Sequence, residues 1–210
     1  LKQAFTVIDL ETTGPITEQN HVIDIGIVRV ENGKIVKTYE TLVRPPISVP
    51  PSITRLTGIQ DEDLISAPTF KEVADEVEEL FQGSIFTAHN APFDYGFLTL
   101  EFIRLGRRFT KPVLCTKNLA HKVLPELPKL GLDALMEHFQ ISADTRHRAF
   151  PDAEITAKVL LELFKVEGVE KRLEQVLIPE NKAGLSIPPN SFFDHLPATS
   201  GVYRFLSSKG

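Results

Sequence analysis

Cysteine and long apolar runs are scarce in this sequence, and each scarcity excludes a class of protein. The single cysteine, Cys115, excludes an internal disulfide framework and fits a reducing compartment. No apolar run approaches the roughly 20 residues that cross a bilayer, and no signal peptide is visible. The chain begins at Leu1 without Met, so we expect a trimmed form of a longer protein. The short apolar runs predict no membrane partner, and the single cysteine predicts a cytoplasmic location.

Positive charge is also limited, because the formal net charge is -5. Nucleic-acid-binding domains are often basic, so this charge argues weakly against such a partner. The argument fails if several acids bind cations, since a bound cation changes the local sign. Basic residues cluster at Arg104, Arg107, Arg108 and Lys111. This cluster fits either a solvated helix end or a set of phosphate contacts.

The order of predicted elements indicates an α/β fold with a mixed sheet. Apolar and β-branched runs predict strands near 5–8, 21–30, 34–43, 84–88 and 112–116, and Asn32-Gly33 predicts a hairpin turn. Apolar spacing and start signals predict helices near 52–57, 70–81, 92–105, 117–123, 131–139, 151–164 and 166–178. A length of 210 residues suits one sizeable core with an appendage.

Two carboxylates, Asp9 and Glu11, end the first apolar run. Side chains alternate along a strand, so both acids point to the same face. Paired acids at the end of a buried strand repel each other and lose hydration, which a fold tolerates when a cation lies between them. The pattern therefore predicts a divalent metal at this strand end.

Two further acids, Asp94 and Asp152, stand close after a proline. Proline favours the first helical position, so each acid could simply stabilise the first turn of a helix. Together with Asp9 and Glu11, they could instead form a set of four ligands at strand and helix ends. His147 precedes Asp152 by five residues and has the near-neutral pKa of a general base, although it could equally be a surface histidine.

Three segments carry a family resemblance: DLETTG (9–14), HNAPFD (89–94) and HRAFPDA (147–153). In this order they resemble the motifs of the DEDDh, or DnaQ-like, exonucleases, the family of the proofreading subunit of bacterial DNA polymerase III. The resemblance covers roughly residues 4–164. It implies a ribonuclease H-like fold, a mixed five-stranded sheet flanked by helices, and a 3′–5′ exonuclease of the bacterial cytosol.

The resemblance also implies roles for individual residues. Asp9, Glu11, Asp94 and Asp152 match the metal-binding acids, and His147 matches the general base. Hard oxygen ligands favour two Mg²⁺ or Mn²⁺ ions. Residues expected to contact the terminal nucleotide are Thr12, Thr13, Gly14, Leu56, Thr57, Ile59, His89 and Phe93. Asp24 lies where relatives often have an acid, but outside the metal set, and Cys115 stands where relatives often have Asp before Thr.

The C-terminal part suggests an extension of the catalytic domain. We expect an exonuclease domain at 1–166, a helix and linker at 167–196, and a short segment at 197–210. In that segment Gly201 to Tyr203 resembles the beginning of a GIY-YIG nuclease domain, as in UvrC-like repair proteins. Its alternative is an ordinary C-terminal strand.

The expected reaction is hydrolysis of phosphodiesters at the 3′ end of DNA, single-stranded or frayed, in proofreading or repair. Its products would be nucleoside monophosphates, and a polymerase or a fused nuclease domain is an expected partner. Two alternatives stay open from the sequence. One is an RNA-trimming exonuclease of the same fold, and the other is a non-catalytic nucleic-acid-binding module of a fused repair nuclease.

Overall fold

Five strands form one mixed sheet in the order β3-β2-β1-β4-β5. The computed structural model describes residues 3–143 and 145–182. The strands are β1 (Ala4–Thr12), β2 (Val22–Glu31), β3 (Lys34–Leu42), β4 (Ser84–Ala88) and β5 (Val113–Cys115). β1, β2 and β3 are antiparallel neighbours, whereas β4 runs parallel to β1 and β5 runs parallel to β4. The predicted five-stranded mixed sheet and its hairpin are therefore confirmed.

Helices cover both faces of the sheet. They are α1 (Pro51–Thr57), α2 (Asp61–Leu64), α3 (Phe70–Leu80), α4 (Pro92–Arg104), α5 (Thr116–Val123), α6 (Leu132–Phe139), α7 (Ala149–Leu163) and α8 (Val169–Val176). α3 begins where predicted because the Glu72 carboxylate accepts a hydrogen bond from the Thr69 N–H at 2.7 Å. The short helix α2 was not predicted, since four residues carry no helical repeat.

The alternation of β1 divides the core into two layers. Ile8 and Leu10 pack with α3 and α4 on one face, whereas Phe5 and Val7 pack with α5 and α7 on the other. Asp9 and Glu11 continue the second series, so both carboxylates point to the α7 face. The alternation thus assigns the acids to the same layer as the helix that carries Asp152.

Two boundaries concern the acids. Asp9 and Glu11 were expected at the end of the first strand, and β1 (Ala4–Thr12) confirms that both lie within it. Pairing with β2 extends it, because Asp9 and Glu11 still have strand partners there. α7 begins at Ala149 and not at Pro151, which makes Asp152 its fourth residue.

The segment after 166 is only partly described. α8 confirms the predicted helix in a shortened form, and Ile178 exchanges backbone hydrogen bonds of 2.8 and 2.9 Å with Val113 at the edge of β5. The predicted GIY-YIG-like segment, Gly201 to Tyr203, lies outside the described residues. Among the helices described, none is long and apolar enough to cross a membrane.

Candidate active site

The strand register brings α7 to the acids of β1. Asp9 lies opposite Gly26 of β2, and Glu11 lies opposite Asp24. A methyl group on Gly26 would lie 2.3 Å from the backbone carbon and oxygen of Ala149. Since no Cβ tolerates that distance, the first turn of α7 reaches the sheet only because residue 26 is glycine. This close approach carries Asp152 to the side of Asp9.

Three carboxylates meet at this point. Asp9, Glu11 and Asp152 each offer an oxygen, and these oxygens all lie within 4.8 Å of one another. Asp152 is 6% exposed, and the two acids of β1 are half-buried. The two elements that supply the acids, β1 and α7, are far apart in the sequence, so the group is a product of the fold.

The pKa values of Asp9 and Glu11 reflect burial and mutual repulsion. Burial, followed by the charges of Asp94, Asp152, Glu11 and Asp24, raises the pKa of Asp9 well above its usual range. Burial, with the charges of Asp24 and Asp152, raises the pKa of Glu11 to about 7. Protons or cations must compensate such a group, because adjacent buried carboxylates cannot all stay ionised alone.

The donor set fits a hard divalent cation. Carboxylate oxygens are the ligands that Mg²⁺ and Mn²⁺ prefer, and the group contains no sulfur or ring-nitrogen donor that would favour Zn²⁺. The geometry therefore supports binding of divalent metal by Asp9, Glu11 and Asp152.

Asp94 lies beside this group but is not a member of it. It stands in the first turn of α4 and is 4% exposed. Its Oδ1 atom accepts a hydrogen bond from the Leu10 N–H at 3.1 Å, which fixes the carboxylate to β1 between the two acids of that strand. Its charge is the largest electrostatic contribution to the raised pKa of Asp9, so the fourth predicted acid lies close to the first.

The Asp152 carboxylate accepts two hydrogen bonds from the loop that precedes α7. Its Oδ1 atom accepts from Nε of Arg146 at 2.6 Å, and its Oδ2 atom accepts from the His147 N–H at 3.2 Å. Arg146 also contacts Asp133 of α6. His147 has a φ angle of 59° and an exposed side chain. This left-handed backbone, unusual for a bulky residue, places the residue directly next to Asp152.

Asp24 lies outside the group of three acids but pairs with the same helix. Its carboxylate accepts hydrogen bonds from Nε of Arg148 at 2.8 Å and from the Ala149 N–H at 3.3 Å. The side chain is thus committed to the start of α7.

Thr12 ends β1, and Thr13 and Gly14 begin the structured loop that follows it. The Thr12 hydroxyl donates to the Gly14 carbonyl at 2.7 Å, and the Thr13 hydroxyl donates to Oδ1 of Asn20 at 3.2 Å and accepts from the His21 N–H at 2.9 Å. Both threonines are buried. Their hydroxyl protons are used within the loop, so their main effect is to fix its backbone.

The residues expected to wedge against a base are divided between surface and core. Leu56 is 54% exposed on α1, whereas Ile59 is 2% exposed and packs with Ile23, Val49, Leu64 and Ala67. The Thr57 hydroxyl donates to the Ile53 carbonyl at 3.0 Å and accepts from the Ile59 N–H at 3.1 Å. In this structure, therefore, Leu56 presents an exposed apolar side chain, whereas the Thr57 hydroxyl and the buried Ile59 stabilise the end of α1.

His89 and Phe93 lie in the segment that joins β4 to α4. Nδ1 of His89 lies 3.0 Å from the Thr116 hydroxyl, which also bonds to the Ala88 carbonyl at 3.3 Å. Burial, followed by the charge of Lys117, lowers the pKa of His89 to about 4, so its ring is neutral at pH 7. Phe93 is partly buried, with its ring centroid 5.1 Å from that of Phe97.

The basic cluster near the end of α4 is partly paired with acidic side chains. Arg104 contacts Glu101 at 2.7 Å, and Arg107 contacts Asp75 at 2.6 Å and also Glu78. Arg108 is exposed, and its Nε donates to the Thr110 hydroxyl at 3.2 Å. Two of the arginines thus have structural partners.

Several residues of the site were not identified from the sequence. Arg146 and Arg148 flank the predicted base, but nothing in their spacing indicated their carboxylate partners. Gly26 carried a signal that was not used, because a glycine inside a buried strand often marks the close approach of another backbone.

Comparison with known proteins places this chain in a family. Residues 6–160 match the exonuclease family RNase_T. The chain is 37% identical over 172 residues to a PolC-type DNA polymerase III of Clostridium perfringens, covering 82% of this chain and 12% of that protein. It is also 36% identical over 218 residues to a putative bifunctional exonuclease/endonuclease protein of Mycobacterium tuberculosis, covering 98% of this chain and 34% of that protein.

Solved structures agree with this placement. Exonuclease X in complex with 5′ overhanging duplex DNA has a TM-score of 0.67 and 26% identity, covering 86% of this chain and 99% of that one. The predicted ribonuclease H-like fold and the predicted exonuclease family are thus confirmed. The chain spans about an eighth of the length of its PolC-type relative and about a third of its mycobacterial relative. With its acids gathered between β1 and α7, the chain belongs to the RNase_T exonuclease family, of the DEDDh type.

Proposed function

We propose that this domain is a metal-dependent 3′–5′ exonuclease that hydrolyses phosphodiesters at the 3′ end of DNA and releases nucleoside monophosphates. One observation supports it most directly: the convergence of Asp9, Glu11 and Asp152 to within 4.8 Å, beside the loop that follows β1. Phosphodiester hydrolysis needs an activated water and compensation of charge on the phosphate. A group of acids in which burial raises the pKa of Asp9 and Glu11 is suited to hold the cations that provide both.

Asp9, Glu11 and Asp152 would hold two Mg²⁺ or Mn²⁺ ions, and Asp94 would contribute from the first turn of α4. Such ions supply a nucleophilic water and shield the attacking and leaving oxygens. His147 would take the proton from that water, since its side chain is exposed and its backbone N–H is bonded to Asp152. The loop Thr12 to Gly14 would position the terminal 3′-OH, and Leu56 would pack against the last base.

DNA is the favoured substrate for two reasons. Exonuclease X, which shares the fold at 26% identity, was solved with duplex DNA that has a 5′ overhang. The PolC-type relative is a DNA polymerase III, which suggests proofreading and a polymerase partner for the present domain as well.

An endonuclease partner within a longer protein is also supported. Similarity to the bifunctional exonuclease/endonuclease of M. tuberculosis extends over 98% of this chain and so includes much of the C-terminal segment. We propose that residues 197–210 belong to the GIY-YIG-like beginning of such a second domain, separated from the exonuclease by the linker at 167–196.

The decisive experiment measures nucleotide release from 3′-labelled and 5′-labelled single strands, with Mg²⁺ and with EDTA. We expect monophosphates from the 3′ end only, and only with metal. His147→Ala should keep the fold and metal binding but lose about 10²- to 10⁴-fold in kcat. Asp9→Ala should be inactive. Near-normal turnover in either variant would contradict the assigned site.

A matched RNA strand distinguishes the remaining alternatives. Faster digestion of RNA than of DNA would identify an RNA-trimming exonuclease. Binding of both strands without any release of nucleotide would identify a non-catalytic module.

A further inference from the structure

Asp24 is a buried carboxylate that the mechanism above does not use. It is 3% exposed on β2, directly opposite Glu11. A charged group in such a place needs a partner, because burial without one is costly. Its partners both belong to the start of α7: the Arg148 guanidinium and the Ala149 N–H.

These two contacts lie where the segment that carries His147 joins α7. Arg148 is the residue after His147, and Ala149 is the first residue of α7, one turn before Asp152. Gly26, two residues after Asp24 on the same face of β2, lets that turn approach the sheet. Asp24 therefore holds the first turn of α7 against β2, at the place where Gly26 leaves room for that turn.

The Asp24–Arg148 pair also affects the pKa of Glu11 in the group of three acids. Arg148 lies close enough to Glu11 to lower the pKa of that acid, in opposition to the effects of burial, Asp24 and Asp152. The Arg148 side chain is 42% exposed, whereas that of Asp24 is 5% exposed. Because the Asp24 carboxylate is buried, it determines where the partly exposed Arg148 guanidinium lies.

We propose that Asp24 is a positioning residue for catalysis, which through Arg148 and Ala149 fixes His147 and Asp152 relative to Asp9 and Glu11. This inference rests on the proposed function and adds an acid that is outside the metal-binding set. Partners that orient metal ligands without touching the metal affect metal affinity or activity by about 10- to 100-fold when they are removed.

The test compares Asp24→Asn, Arg148→Met and their double variant. Asp24→Asn keeps the shape and an acceptor for the Ala149 N–H but loses the charge. Arg148→Met removes the other partner, whose side chain is 42% exposed, and thermal unfolding of each variant checks that it is folded before kcat and Mn²⁺ binding are compared. We expect kcat on 3′-labelled DNA to fall about 10- to 100-fold in each single variant, with KM changed much less. The double variant should lose little more than either one, because both act through one contact.

A second measurement does not depend on turnover. Titration of Mn²⁺ by calorimetry should show weaker binding in both single variants, again without additivity. Asp24→Glu should restore part of kcat if the charge and its direction matter. Asp61→Asn is the matched control, since Asp61 also accepts a backbone N–H, that of Val49 at 2.7 Å, but lies on α2.

The outcomes separate this inference from the proposed function. A wild-type protein without nuclease activity would contradict the proposed function, whereas Mn²⁺ binding would still test the role of Asp24. If Asp24→Asn and Arg148→Met lower thermal stability no more than Asp61→Asn and leave both kcat and Mn²⁺ affinity within about twofold of wild type, Asp24 has no positioning role. If the losses of kcat in the two single variants add fully in the double variant, Asp24 and Arg148 do not act through one contact.

Discussion

Glu101 and Arg104 lie one turn apart on α4, and their side chains meet at 2.7 Å. The same guanidinium donates to the carbonyls of Glu18 and Asn20, both at 2.8 Å. Glu101 in turn accepts from the Val22 N–H at 3.2 Å. This pair therefore fastens the loop between β1 and β2, which contains the proposed 3′-end contacts, to a helix of the core.

Replacing Arg104 should loosen that loop and weaken binding of the DNA end. In Arg104→Met, the buried Glu101 carboxylate loses its guanidinium partner and keeps only the Val22 N–H and the His21 ring, which costs about 1–3 kcal/mol of stability. We expect a higher KM on 3′-labelled DNA with a smaller change in kcat, measured by steady-state digestion. Arg108→Met is the control, because Arg108 is exposed and its side chain hydrogen-bonds only to Thr110 among the residues described. Equal KM values in the two variants would contradict the role of Arg104.

Gly26→Ala should separate α7 from the acids of β1. The added methyl group would lie 2.3 Å from backbone atoms of Ala149, so the helix must move. Overpacking of this kind costs about 1–3 kcal/mol of stability, occasionally more. We expect lower stability in chemical denaturation together with weaker Mn²⁺ binding. Gly131→Ala, at a position where the methyl group meets nothing within 4 Å, should leave Mn²⁺ binding unchanged.

The stability of the metal-free protein should fall as the pH rises. The pKa of Glu11 is raised from 4.5 to about 7 in the folded state, and that of Asp9 is also raised. Between the unfolded and folded pKa values the folded protein binds more protons, so a rise in pH favours unfolding. Melting temperatures measured in EDTA should therefore decrease from about pH 5 to about pH 8.

Metal and a charge-neutral variant provide the controls for this pH effect. Mg²⁺ should reduce the decrease, because the cation replaces the proton as the compensating charge. Glu11→Gln in EDTA should also have a shallower pH dependence than wild type. An identical slope in Glu11→Gln would contradict the assignment to Glu11.

Leu56 and Ile59 should respond differently to truncation. Leu56 is 54% exposed, so Leu56→Ala should leave stability nearly unchanged but weaken binding of a single-stranded 3′ end, measured by KM. Ile59 is 2% exposed, so Ile59→Ala should cost about 2–5 kcal/mol in denaturant unfolding. Loss of stability in Leu56→Ala, or its absence in Ile59→Ala, would contradict these assignments.

The sequence by itself determined the elements and the identity of the candidate acids. Alternation along β1 already placed Asp9 and Glu11 on one face, since this period is a property of any strand. Helical spacing located α3, α4 and α7, and the three motifs identified the exonuclease family. These features are local, or depend only on the order of motifs along the chain.

Tertiary structure decided which side chains share the site and which support it. Only the register of β1 and β2 places Gly26 opposite Asp9 and Asp24 opposite Glu11, and that register depends on long-range pairing. The role of Asp24, the partners of Arg104 and the burial of Ile59 follow from packing between distant segments. A linear pattern records none of these, because contacts such as Arg148 with Asp24 join residues that are far apart in the chain.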